Sequence, residues 1–182
     1  MRLLSARFTG PSGDIGRTAT YEILRGAARV RTMQILAQDG GEILLDGSSC
    51  RIAPPVNQGE RNAYREAVIF AAGAGAANLP QDRTPLLLFD RFDRLLAVGE
   101  RLRGATHLYW ADNSLRFKTA SLFAKASRWI LLSPFDETSR GWIGRRSKSD
   151  ELIELETEWD MPEPVQAFAV WLAARLLREQ RM

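Results

Sequence analysis

Thirteen residues near the C-terminus constrain this chain more than anything else in it. From Val165 to Leu177 only Gln166 and Arg175 are polar, and Ala167 through Ala174 is an unbroken apolar run. Ala, Leu, Phe, Val and Trp without an internal Gly or Pro favour a helix. Pro164 suits its first turn. Arg175, Arg178 and Arg181 gather where cations complement the negative end of the helix dipole. A helix over 164–180 is about 25 Å long. It is apolar on nearly every side, whereas a helix lying on a protein surface shows one apolar stripe. It is also short for a bilayer span. Something in the same chain is expected to surround it.

The rest of the chain reads as strands. Candidates fall at 2–8, 19–25, 29–37, 42–46, 49–53, 65–70, 85–90, 94–100, 106–111, 115–120, 127–132, 141–145 and 151–159. Asp46-Gly47 between two apolar runs marks a type I′ hairpin. Asp112-Asn113 reads the same way, and 133–136 begins a longer turn. Leu115, Phe117 and Thr119 alternate with Arg116 and Lys118. Ile153, Leu155, Thr157 and Trp159 alternate with Glu154, Glu156 and Glu158. Each set occupies its own face of a strand. About a dozen antiparallel strands close into a barrel wider than side chains alone can fill, and a helix is one such filling. The expected fold is therefore mainly β (α+β): a closed antiparallel barrel of about 12 strands wrapped around a hydrophobic C-terminal helix, as a single domain over 1–182. A β-sandwich with the helix across one end is the competing arrangement. Residues 71–79 read as a loop or insertion.

The 182 residues carry a formal net charge of +3, one cysteine and one histidine. No intrachain disulfide can form, and a Cys/His zinc site is not expected. The first residues show no apolar segment of a secretory signal. One free thiol fits a reducing, cytoplasmic setting. Charge is uneven: residues 91–148 hold 12 basic and 5 acidic residues, and 149–182 hold 3 basic and 8 acidic. Arg accounts for 22 of the 25 cations. The guanidinium fork suits phosphate, although a GC-rich coding sequence produces the same bias.

Catalytic and cofactor motifs are weak. Gly73-Ala74-Gly75-Ala76-Ala77-Asn78 is part of a dinucleotide fingerprint, but the third glycine is absent and Leu79-Pro80 follows where a helix should begin. His107 sits on a strand and reads as a half-buried polar residue. Cys50 reads as a structural thiol. Asp150, Glu151, Glu154, Glu156, Glu158 and Asp160 form a row, which reads as a solvated face or one paired with Arg from a neighbouring strand. No metal, cofactor or catalytic residue is assigned.

The binding candidates are the basic residues: the alternating pairs Arg29 and Arg31, Arg101 and Arg103, and Arg116 and Lys118, with the cluster Arg145, Arg146 and Lys148. Pairs on one strand face can converge on a phosphate or an anionic headgroup. Aromatic residues are not interleaved with them, so nucleic acid is not the expected partner.

Val165-Gln166-Ala167-Phe168-Ala169-Val170-Trp171-Leu172-Ala173, entered through Asp160-Met161-Pro162-Glu163-Pro164, resembles the central helix of the tubby C-terminal-like superfamily, which includes tubby-like proteins, phospholipid scramblases and LURP-one-related proteins. Arg128-Trp129-Ile130-Leu131 and Gly141-Trp142-Ile143-Gly144 resemble its penultimate strands, and Thr20-Tyr21-Glu22-Ile23 an early one. Residues 54–80 have no counterpart. The resemblance implies a barrel of about twelve strands around a hydrophobic helix and, in some members, binding of phosphoinositide or other anionic lipid. No scramblase-type calcium motif or cysteine cluster accompanies it. The expectation is a non-enzymatic, cytoplasmic and monomeric binding module, peripheral at a membrane, for anionic phospholipid or another phosphate-bearing ligand. The alternative is a protein-interaction or scaffold domain without a small ligand.

Overall fold

A computed structural model describes residues 2–10, 19–25, 28–36, 40–45, 48–72, 84–102, 104–119, 128–146 and 152–180. Twelve strands run in chain order as β1 (Arg2–Gly10), β2 (Ala19–Arg25), β3 (Ala28–Leu36), β4 (Gly40–Leu45), β5 (Ser48–Ala53), β6 (Leu86–Phe89), β7 (Leu95–Leu102), β8 (Ala105–Trp110), β9 (Asn113–Thr119), β10 (Arg128–Leu132), β11 (Ser139–Gly144) and β12 (Leu152–Thr157). Helix α1 (Gln58–Ala72) interrupts them between β5 and β6, and α2 (Glu163–Glu179) follows β12. Each strand pairs antiparallel with its neighbours in sequence, and β1 pairs with β12, so the sheet closes into a barrel without a free edge. Closure removes the unpaired backbone groups that an edge strand presents.

Strand alternation sorts residues between two faces. All twelve strands supply a buried residue, among them Leu4, Ile23, Met33, Ile43, Leu108, Leu131 and Leu155, to one hydrophobic cluster. The same cluster includes Phe168, Trp171 and Leu172 of α2. Eleven of the 17 residues of α2 are buried. Contacts run from it to β1, β3, β4, β7, β11 and β12. The helix begins after Pro162 without a side-chain cap. Its one buried polar side chain, Gln166, donates from Nε2 to the carbonyl of Met161 at 2.7 Å, which satisfies a group that burial would otherwise penalise.

The other face of the sheet carries a second, smaller core. Tyr64, Val68 and Ala71 of α1 pack on Leu87, Phe89, Val98 and Tyr109. This explains why Leu86-Leu87-Leu88-Phe89 is buried at every position: Leu86 and Leu88 join the main cluster, while Leu87 and Phe89 lie under α1. Tyr64 OH also donates to the buried Glu100 carboxylate at 2.6 Å.

Three expectations need correction. The strand at 65–70 does not exist, because Val68, Ile69 and Phe70 lie within α1. A short β-branched run suggested a strand, but the apolar contacts at 64, 68 and 71 follow a helical period. Of the loop expected at 71–79, Ala71 and Ala72 instead end α1, while the rest, with the glycine-rich stretch, lies outside the described residues. The β8–β9 turn is one residue earlier than read: Trp110 pairs with Asn113, so Ala111 and Asp112 form the link, with Ala111 at φ 45°. Asp46-Gly47 lies outside the described residues, but Leu45 pairs with Ser48 on either side of it.

Candidate ligand-binding surface

The outer face of β9, β10 and β11 carries four described cations, Arg116, Lys118, Arg128 and Arg140. On β9 the inward residues Leu115 and Phe117 are buried, which turns Arg116 and Lys118 outward. On β10 Trp129 and Leu131 point in, leaving Arg128 and Ile130 outside. The register aligns Lys118 with Ile130, Ile130 with Trp142, and Trp142 with Glu156. Trp142 lies in a groove of about 420 Å³ bordered by Arg128, Ile130, Arg140, Glu156 and Glu158. The Arg128 guanidinium sits 3.9 Å from the Trp142 ring, and that of Arg140 lies 5.9 Å from Trp159. Stacking holds a guanidinium in place while its N–H edge stays open to a ligand.

The β10–β11 connection organises this edge. Ser133 N–H donates to the Thr138 carbonyl, closing the turn. The Asp136 carboxylate accepts from the backbone N–H of Thr138 at 3.0 Å and from its hydroxyl at 2.8 Å. These bonds, with one from the Ser133 hydroxyl, lower the Asp136 pKa from 3.8 to about 2. Hydrogen bonds to the ionised form have that sign. Asp136 also lies 3.6 Å from Arg140, and Glu137, at φ 54°, accepts from Arg116 at 2.8 Å. The tip of the turn is Phe135, 69% exposed. The ladder shifts between Ile130 and Leu132, and Gly141 (φ 151°) sits in the bulged stretch of β11.

The nine basic residues singled out from the sequence do not form one site. Arg116 and Lys118 stand on this face. Arg29 and Arg31 lie on β3, six strands away around the barrel, and the ladder shifts between them. Their side chains, together with Arg103 and Lys148, lie outside the described residues. Arg101, next to last on β7, pairs with Glu179 of α2 at 3.4 Å. Arg145 and Arg146 follow β11, and Arg146 Nε donates to the buried Glu154. Part of the charge of the basic segment is thus met by the acidic strand beside it.

Arg128, Arg140 and Trp142 were missed as site residues. Their signal lay in the hairpin: a turn at 133–138 brings Arg128 and Trp142 to neighbouring positions on one face. Elsewhere, His107 is half-exposed on β8, 6.1 Å from the Tyr109 ring, and Cys50 is buried on β5. Among the described residues no three His, Cys, Asp or Glu side chains gather as a metal site, and no helix is long and apolar enough to cross a membrane. Compared with protein-family models, curated proteins and solved structures, the chain matches none.

Proposed function

We propose that this protein is a non-enzymatic binding module whose barrel wraps α2 and whose outer β9–β11 face takes the phosphate of an anionic membrane lipid. The observation that carries the reading is the placing of four cations on one face of three adjacent strands: Arg128 and Arg140 border the Trp142 groove, and Arg116 and Lys118 stand on β9 next to β10. Guanidinium groups pair two phosphate oxygens at once. Phe135 favours a membrane over a free phosphate: an exposed ring beside a basic face adds apolar burial in the headgroup region to electrostatic attraction. The shared hydrophobic cluster of α2 and all twelve strands supports the helix-filled barrel, the shape implied by the resemblance to the tubby C-terminal-like superfamily. A lumen occupied by a helix directs binding outward.

A protein-interaction domain without a small ligand is the second reading. It draws on Val56, Ile69 and Phe70, which are exposed at and near α1. Vesicle co-sedimentation separates the two. The lipid reading expects the protein to pellet with vesicles containing phosphatidylserine and not with phosphatidylcholine alone. Release should follow as salt rises, because exposed charges are screened beyond about 10 Å at 0.1 M. Combined Arg116→Ser, Lys118→Ser and Arg128→Ser should abolish pelleting. Equal recovery in the supernatant with both vesicle types at low salt refutes it.

A further inference from the structure

A second cavity, of about 180 Å³, opens where the C-terminal end of α2 meets β6, β7 and β8. Leu86, Leu172 and Leu176 line its apolar part, and Arg101, Arg175 and Glu179 its outer rim. Glu179 bridges two guanidiniums: Arg175 Nε donates to Oε1 at 2.9 Å and Arg101 Nη1 to Oε2 at 3.4 Å. The last turn of a helix is an unfavourable place for a carboxylate, because the macrodipole is negative there. The two arginines, one on the helix and one on β7, therefore define the anion position. Glu100 also borders the cavity, but its Oε2 accepts the Tyr64 hydroxyl.

We infer that this cavity binds a single-chain amphipathic anion, with its headgroup between Arg101 and Arg175 in place of Glu179 and its chain over the three leucines. Glu179 is the chain's own occupant of the anion position, and its exposed stem lets it swing into solvent. An apolar cavity of about 150 Å³ accepts benzene, so this one has room for about six to eight chain carbons. The site is separate from the β9–β11 face and does not depend on it.

Isothermal titration of the full chain with octanoate, octyl phosphate, 1-octanol and acetate tests the inference. Octanoate or octyl phosphate should bind saturably, and the tighter of the two identifies the headgroup as carboxylate or phosphate. Octanol lacks the charge and acetate the chain, so neither should match them. Arg101→Gln should weaken binding about tenfold or more, since a charge-assisted pair is lost, and Glu179→Gln should tighten it severalfold. The Arg101 side chain is 65% exposed and that of Glu179 35%, so these substitutions leave the core intact. Combined Arg116→Ser and Lys118→Ser should change nothing. Octanol binding as tightly as octanoate, no heat with either anion, or indifference to Arg101→Gln would overturn the inference.

Discussion

Gly141 shows how one residue can set the shape of a surface. Its φ of 151° falls where L side chains rarely go, and a Cβ there would come within 2.2 Å of the Glu156 carbonyl oxygen. The obstacle is backbone, which cannot swing aside as a side-chain end can. Gly141→Ala should cost about 1–3 kcal/mol or more, read as a lower denaturation midpoint with an unchanged slope. Asp136 supplies a pH signature. Its folded-state pKa of about 2 lies below the ordinary 3.8, so its contribution is fully present above about pH 4 and fades as pH falls through 2. The stability difference between wild type and Asp136→Asn should follow that course in denaturant titrations at several pH values. A difference that is constant from pH 5 to 2 contradicts the assignment.

Among the elements, α2 holds the largest share of the core. Phe168 and Trp171 are fully buried, with ring centroids 6.1 Å apart. Phe168→Ala should lose about 3–5 kcal/mol, a fall in Tm of roughly 10 °C for a chain of this size. A variant that melts with wild type contradicts the packing. This helix was legible because its apolar run lacks the polar face that a surface helix needs. The strands were legible where alternation or a turn bounded them, as at Leu115–Thr119 and the link between β4 and β5. Helix α1 was not, because Ala67-Val68-Ile69-Phe70 taken alone is a strand-like run. Two signals pointed the other way. Asn57 and Glu60 make a relative of the capping box: Asn57 Oδ1 accepts from the Glu60 N–H at 2.9 Å, and Glu60 Oε2 from the N–H of Val56, one residue before Asn57, at 2.7 Å. The unbroken apolar run of β6 also announced a strand covered on both faces.

At the scale of the whole molecule, barrel closure decides which charges meet. Sequence spacing pairs Arg29 with Arg31 and Arg116 with Lys118, but strand order sets the two pairs on opposite sides of the ring. Register instead sets Ile130 opposite Lys118, with Arg128 two residues along β10 and Arg140 on the next strand, β11, on the same outer face. A strand's own pattern reveals which way a side chain faces; only the pairing reveals its neighbours. That is why the fold was more legible than the site. The reading proposed above makes the outer face of β9–β11 the place where an anionic headgroup lands. The most direct measurement is an NMR titration of backbone amides with a soluble short-chain phosphatidylserine below its micelle concentration. Shifts concentrated in 113–119, 128–132 and 138–144, and lost with combined Arg116→Ser, Lys118→Ser and Arg128→Ser, are the predicted result. Saturating shifts confined to other strands, or none at low salt, would contradict it.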